Sequence, residues 1–195
     1  MTVVGVADHA GWAVLVTVAP GGKLLDRRRV GLLDDALPKL PHHHEAQGLP
    51  PKQAVELIGR VRASAERHAR AALEALTREV SATIAGIALR RCPPLPETIE
   101  ERISNYRAQN MADGVMYRQV LAEAAAARGW VVHGYDARRV FDEAAAALRR
   151  KTIEDLLDET GAALGPPWQK DHRMAMAAAI AAGVKGGSSR SSASG

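Results

Sequence analysis

The sequence has little cysteine and few aromatic residues. Cys92 is the only cysteine, so no disulfide can form within the chain. Aromatic residues make up only 4% of the sequence, and the hydrophobic fraction of 47% is therefore mainly Ala, Val, Leu and Ile. No apolar run approaches the roughly 18–20 residues that a transmembrane helix needs. The N-terminus also lacks the basic segment and cleavage site of a secretory signal. We therefore expect a soluble, cytoplasmic protein.

Several short motifs with a known mechanism are absent. The sequence contains no GxGxxG, Walker A, HExxH, GxSxG or CxxC pattern. These absences argue against a Rossmann dehydrogenase, a P-loop NTPase, a zincin, a serine hydrolase of the usual type and a thioredoxin.

Length and charge describe an ordinary globular chain that is mildly basic. Lys and Arg number 26 against 22 Asp and Glu, which gives a formal net charge of +4. Such a charge is compatible with an anionic partner without requiring one. The 195 residues fit one domain. We expect residues 1–184 to form that domain and residues 185–195, rich in Gly and Ser, to be a disordered tail.

The N-terminal part predicts three antiparallel strands. Residues 3–8 (VVGVAD) and 11–18 (GWAVLVTV) are β-branched apolar runs separated by a gap the length of a hairpin. A PGG turn at residues 20–22 then leads into a more polar third strand, residues 23–30. These runs predict a three-stranded meander.

Strands and helices alternate in the remaining chain. Residues 83–89 (TIAGIAL) are typical of a buried strand, and residues 130–133 (WVVH) predict a fifth strand. Apolar periodicity predicts helices over residues 52–80, 97–128, 136–150, 152–163 and 169–182, with Gly114 or residues 105–110 as possible interruptions in the second. The order predicts an α/β fold: a mixed five-stranded sheet, three antiparallel strands followed by parallel βαβ units, with helices on both faces.

Three segments resemble the ribonuclease H-like superfamily, and in particular RuvC-type Holliday-junction resolvases. They are the strand VVGVAD (3–8) that ends in an acid, the segment 114–141, and the closing helix DHRMAMAAAIAAG (171–183). The resemblance implies a ribonuclease H-like fold and a nuclease that uses Mg²⁺ or Mn²⁺. It also implies structured nucleic acid, branched DNA or RNA, as substrate, and a homodimer.

The same resemblance leaves the acidic site incomplete. In the family, the closing helix has a second acidic position, which Met174 occupies here. The family's acidic position at the end of the fourth strand corresponds to Leu89 or Arg90, and neither residue is acidic. Of the family's acidic positions, only those matched by Asp8 and Asp171 are acidic in this sequence. A second hypothesis is therefore a catalytically degenerate binding or scaffold protein with no turnover. A third, a sugar-kinase or actin-like half domain, lacks the glycine-rich phosphate loops.

Asp8 and Asp171 are the candidate catalytic residues and metal ligands. Two-metal hydrolysis needs carboxylates that converge on one point, and Mg²⁺ prefers carboxylate oxygens. Glu97 is the predicted third ligand, with Glu56 as an alternative. His172, next to Asp171, can orient a water or a ligand. The plainer interpretation makes Asp8 a turn residue and Asp171 a helix N-cap.

Arginine pairs are the candidate contacts to nucleic acid, because guanidinium groups bind phosphates. The predicted set is Arg27, Arg28, Arg90, Arg91, Arg138 and Arg139, with a solvated charged surface as the alternative. The run His42, His43 and His44 contains ligand types that suit Zn²⁺ or Ni²⁺. Three consecutive histidines cannot all face one ion without strain, so a solvated loop is the alternative there.

Overall fold

The computed structural model describes residues 1–185 and contains one sheet. Its strands are β1 (Thr2–His9), β2 (Trp12–Val18), β3 (Leu24–Gly31), β4 (Ile84–Arg90) and β5 (Val131–Tyr135). They lie side by side in the order β3-β2-β1-β4-β5. β1, β2 and β3 pair antiparallel, whereas β4 and β5 join in parallel. The predicted mixed five-stranded sheet is confirmed.

Turn chemistry explains the opening meander. Gly11 takes a φ of +79° between β1 and β2, a conformation that glycine adopts without steric cost. Pro20–Gly22 form one turn of 3₁₀ helix before β3, and Gly21 and Gly22 both have positive φ. The predicted strand limits agree with the structure to within two residues, β5 extending to Tyr135 rather than ending at residue 133.

The described part of the chain also contains six α-helices, three of which precede β5. They are α1 (Pro51–Glu79), α2 (Ile99–Ser104), α3 (Tyr106–Ala126), α4 (Val140–Ala147), α5 (Glu154–Leu164) and α6 (Lys170–Lys185). The helical stretch predicted over 97–128 is interrupted at Asn105, within the predicted region 105–110; the Asn105 side-chain oxygen accepts a hydrogen bond from the Ala108 amide at 3.1 Å and so caps α3. Gly114 does not interrupt α3.

The start of α4 differs from the sequence expectation. The sequence predicts a helix over residues 136–150, but α4 begins at Val140 and ends at Ala147. The Asp136 carboxylate instead accepts a hydrogen bond from the Arg138 amide at 2.9 Å, which closes a turn. Local side-chain bonding of this kind competes with helix formation.

The sheet is covered on both faces, as predicted, and the two faces pack differently. Val4 and Val6 of β1 pack with the apolar sides of α1 and α3. Val3 and Ala7, which point the other way because strand side chains alternate, pack with α6 and α4. We call these two surfaces the α3 face and the α6 face.

Close approach on the α6 face depends on small residues. α6 buries alanines at positions 175, 177, 178, 179, 181 and 182. A Cβ built on Gly5 would lie 1.8 Å from the Ala175 carbonyl oxygen and 2.8 Å from the Ala179 amide nitrogen. The helix backbone therefore rests directly on β1, which only glycine at position 5 allows.

α6 extends to Lys185, the last described residue, whereas the sequence predicts that the tail begins at residue 185. The rest of the predicted tail, residues 186–195, lies outside the described residues, and the single-domain assignment stays a prediction. Within residues 1–185, no helix combines the length and the hydropathy needed to cross a membrane.

Candidate functional site

Five strand termini meet at one edge of the sheet. β1, β4 and β5 are parallel and end there, β2 begins opposite His9, and Gly31 at the end of β3 pairs with Trp12. We define the strand-end surface by the residues at these termini and the side chains that reach them: Asp8, His9, Trp12, Arg29, Arg90, Arg91, Arg118, Tyr135 and Asp171. It contains both predicted catalytic acids.

Asp8 is held by an arginine from α3. It lies on the same side of β1 as Val4 and Val6, so its side chain faces α3. Arg118 Nε donates to Asp8 Oδ2 at 2.8 Å, and the two side chains are only 13% and 5% exposed. A Cβ on Gly114 would come within 3.2 Å of the Arg118 guanidinium, so the glycine leaves space for the arginine. The only sequence feature related to the Asp8–Arg118 ion pair is the glycine at position 114, one helical turn before Arg118.

Asp171 has a different partner on the opposite face. It lies in the first turn of α6, and its Oδ2 accepts a hydrogen bond from His9 Nε2 at 3.0 Å. Its side chain is 29% exposed, so water reaches it more readily than it reaches Asp8. The two predicted metal ligands thus contact separate cationic or polar groups on opposite sides of β1.

A stack of planar groups continues from His9 across the sheet. The His9 and Trp12 rings stack with centroids 4.0 Å apart at 6°. The Arg29 guanidinium carbon lies 4.0 Å from the centroid of the same Trp12 ring. Cation–π contact of this kind holds a guanidinium in a fixed orientation.

Tyr135 marks the point where the charges of the strand-end surface converge. Its buried hydroxyl donates to the Val6 carbonyl at 2.8 Å. Burial raises the pKa of Tyr135 well above its ordinary value; the negative charges of Asp8 and Asp171 raise it further, and Arg90 and Arg118 oppose this. Two acids and two arginines therefore lie within electrostatic reach of one phenol.

The donor set does not fit a two-metal centre. Within residues 1–185, no group of three His, Cys, Asp or Glu residues is placed to hold a metal ion. Glu97, the predicted third ligand, is exposed in the loop before α2, where its backbone carbonyl accepts from Arg102. β4 ends in Arg90, a cation that would repel Mg²⁺. The metal-binding and catalytic assignments of Asp8 and Asp171 stay predictions.

The predicted nucleic-acid-binding arginines divide into two groups. Arg27 donates to the carbonyls of Gly165 and Pro167, and so fastens the segment before α6 to β3. Arg28 pairs with Asp26 at 2.7 Å and Glu79 at 3.0 Å, and these hydrogen bonds and charges raise its pKa. Both guanidinium groups are engaged within the fold.

The other predicted arginines are freer. Arg139 makes a long contact of 4.0 Å with Glu143 one helical turn away. Arg90, Arg91 and Arg138 are exposed and form no side-chain ion pair or hydrogen bond with the described residues. Only this group has guanidinium donors available for a ligand.

The histidine run is only partly solvated. His42 is 1% exposed, and its Nδ1 donates to Asp113 Oδ1 at 2.7 Å. The Asp113 carboxylate also accepts from the backbone amides of His42 and His43, so it anchors the loop to α3. His44 is exposed, as the solvated-loop alternative had it. No local pattern links Asp113 to a loop 71 residues earlier.

His172 is a buried neighbour of the site rather than part of the charge cluster. Its Nδ1 accepts a hydrogen bond from the Gln169 amide at 3.2 Å, and its ring lies against Trp168. Burial lowers the pKa of His172, Arg27 lowers it further, and Asp171 opposes the shift. The neutral ring therefore supports the first turn of α6.

Comparisons with known proteins identify the fold. No family model and no curated protein matches the chain. Among solved structures, it is similar to Thermus thermophilus RuvC in complex with a Holliday junction substrate, with 17% identity, 96% of each chain covered and a TM-score of 0.54. A second Thermus thermophilus RuvC structure has 17% identity, 97% coverage of each chain and a TM-score of 0.50. The predicted ribonuclease H-like fold of the RuvC type is confirmed.

Proposed function

We propose that this protein binds structured nucleic acid, branched DNA or RNA, through the strand-end surface and does not cleave it by a metal-dependent route. The Asp8–Arg118 ion pair carries this proposal. A carboxylate that is buried and hydrogen-bonded to a guanidinium has to give up that partner before it can bind a cation. The loss leaves a buried charge uncompensated, which typically costs about 3–5 kcal/mol.

The same surface favours an anionic ligand. Arg90 stands at the end of β4, where the resemblance to resolvases implies an acid, and Arg29 is fixed against Trp12. Replacing a metal-binding acid by arginine changes the position from one that attracts cations to one that attracts phosphates. The likeness to a RuvC structure that holds a Holliday junction supports nucleic acid as the class of ligand.

A nuclease that uses Mg²⁺ or Mn²⁺ is the second candidate. Asp8 lies near the end of β1 and Asp171 contacts His9 at the end of the same strand, which is the observation in its favour. In that case Arg118 has to leave Asp8 when substrate binds. The homodimer that the resemblance implies belongs with either candidate, because two copies present two strand-end surfaces to one branched substrate.

The decisive assay combines binding and cleavage on one substrate. A labelled four-way DNA junction is incubated with the wild-type protein in EDTA, in Mg²⁺ and in Mn²⁺, and analysed by anisotropy and on denaturing gels. We expect binding in all three conditions and no cleavage product. Metal-dependent cleavage that both Asp8→Asn and Asp171→Asn abolish would establish the nuclease instead. If the wild-type protein binds neither the four-way DNA junction nor a branched RNA, the proposal is wrong.

A further inference from the structure

The strand-end surface includes a cationic cavity at one side. It lies where β4 and β5 end and has a volume of about 500 Å³. Arg90, Arg91 and Arg138 line it, with Tyr135 and Asp136 among the other lining residues. In the strand order, β4 lies between β1 and β5, so the cavity is one strand away from β1 and Asp8.

The charges of this cavity are not balanced by the fold. Its three arginines form no ion pair within residues 1–185. Asp136 is the one acidic residue that lines it, and its Oδ1 already accepts from the Arg138 amide at 2.9 Å. Three guanidinium groups around one cavity repel each other unless an anion lies between them. The arrangement therefore favours a bound anion.

The backbone is shaped to place one of these arginines. The Arg91 amide donates to the Tyr135 carbonyl at 2.9 Å, which extends the β4–β5 pairing beyond the end of β4. A Cβ on Gly134 would lie 3.0 Å from Arg91 Cγ, so glycine at position 134 lets the Arg91 stem lie across β5. A side chain at position 134 would push the arginine away from the cavity.

We propose that this cavity is a binding site for a backbone phosphate of the nucleic acid, held by Arg91 and Arg138 with Arg90 between them and Asp8. This inference rests on the proposed function and adds to it the site that positions the ligand. Guanidinium groups offer paired donors that match phosphate oxygens. Neighbouring β-strands are about 4.8 Å apart. A nucleic-acid backbone held in this cavity therefore passes within about 5–10 Å of the Asp8–Arg118 pair.

The test compares charge removal inside and outside the cavity. Arg91→Ala, Arg138→Ala and the double variant are measured for junction binding between 50 and 200 mM salt, roughly the range over which phosphate contacts are resolved. Arg60, an exposed arginine on α1, provides the control: Arg60→Ala matches the change in net charge of each single variant. We expect the double variant to bind at least about tenfold more weakly, with a salt slope lower by about 2, one unit for each lost phosphate contact. Arg60→Ala should leave the slope unchanged.

The outcomes separate this inference from the function on which it rests. If the wild-type protein binds and the double variant keeps its affinity and salt slope, the phosphate site is wrong and the proposed function stands. If the wild-type protein binds neither junction nor branched RNA, both are wrong. Gly134→Val is an independent check, because it displaces Arg91 without changing charge and should weaken binding in the same direction as Arg91→Ala.

Discussion

The two faces of the sheet treat their acidic residues in opposite ways. On the α3 face, large side chains such as Leu73, Tyr117 and Leu121 fill the core, and Asp8 is buried against Arg118. On the α6 face, alanines bring the helix onto β1, and Asp171 stays partly exposed beside His9. One face fixes its carboxylate with a cation from the chain, whereas the other leaves its carboxylate open to solvent.

This difference bears on whether Asp8 and Asp171 can hold a metal ion together. A two-metal site needs carboxylates from both faces to converge on one point. Here the acid on one side is already neutralised, and the strand between it and β5 ends in Arg90. A difference of this kind can be tested by disturbing each face in turn.

The largest effect is expected on the α6 face at Gly5. A Val side chain there has to displace the Ala175 carbonyl, 1.8 Å from the new Cβ, and the helix cannot move without opening the core. We expect Gly5→Val to prevent folding and Gly5→Ala to lower the free energy of unfolding by about 3 kcal/mol or more, measured by urea denaturation.

The control for Gly5 is Gly59, an exposed position within α1 where a new Cβ meets nothing within 4 Å. Gly59→Ala should raise the free energy of unfolding by about 0.5–1 kcal/mol, because alanine favours the helix. Similar destabilisation by both alanine variants would contradict the close contact between α6 and β1.

The next effect is expected on the α3 face at the ion pair. Arg118→Met keeps most of the side-chain volume but leaves Asp8 buried without its partner, so we expect a loss of about 3–5 kcal/mol in urea unfolding. Adding Asp8→Asn to that variant should recover part of the loss, because it removes the uncompensated charge. If Arg118→Met costs less than about 1 kcal/mol, Asp8 is not held as described.

A smaller effect on the same face comes from the histidine loop. Asp113→Ala removes the acceptor of three hydrogen bonds from His42 and His43. Unsatisfied buried donors are costly, and we expect a loss of about 2–4 kcal/mol. Hydrogen exchange at the His42 and His43 amides should rise much more than exchange in α6. Unchanged exchange at these two amides would contradict the anchoring role of Asp113.

The smallest effect is a pH dependence on the α6 face. The pKa of His172 lies below its ordinary value of 6.5 in the folded protein, so the unfolded chain takes up this proton first as the pH falls. The stabilising contribution of His172 is therefore present above about pH 6.5 and is lost below it. His172→Asn, whose amide oxygen can accept from Gln169, should weaken this dependence between pH 6.5 and 5, measured by thermal melting. If the Tm of the wild-type protein and that of His172→Asn depend on pH in the same way, His172 does not make this contribution.

The sequence predicts the sheet better than the site. Short apolar runs rich in β-branched residues mark β1, β2, β4 and β5, and the PGG turn marks the start of the more polar β3, because strand formation leaves a local pattern. The break at Asn105 also has a local cause, a capping side chain, and it falls within the predicted region 105–110. By contrast, Arg118 is 110 residues from Asp8, so no local pattern links the two. Gly114, one helical turn before Arg118, is interpreted from sequence only as an interruption of the helix. Such pairs arise from the packing of distant elements.

Arginine clusters illustrate the same limit within one residue type. Arg27 and Arg28 look identical in sequence to Arg90 and Arg91, yet the first pair is bonded within the fold and the second is free for a ligand. The distinction depends on which carbonyls and acids the tertiary structure brings near. Charge counts along the sequence contain no information about these contacts.

The most direct test of the central claim, that Arg118 takes the place of a metal ion at Asp8, is thermal melting in Mn²⁺ and in EDTA for the wild-type protein and Asp8→Asn. A ligand that binds only the folded state raises stability by about 2.7 kcal/mol at a hundredfold excess over its Kd. We predict no Mn²⁺-dependent rise in the wild-type Tm beyond that of Asp8→Asn. A clear rise in the wild-type protein that Asp8→Asn removes would contradict the claim.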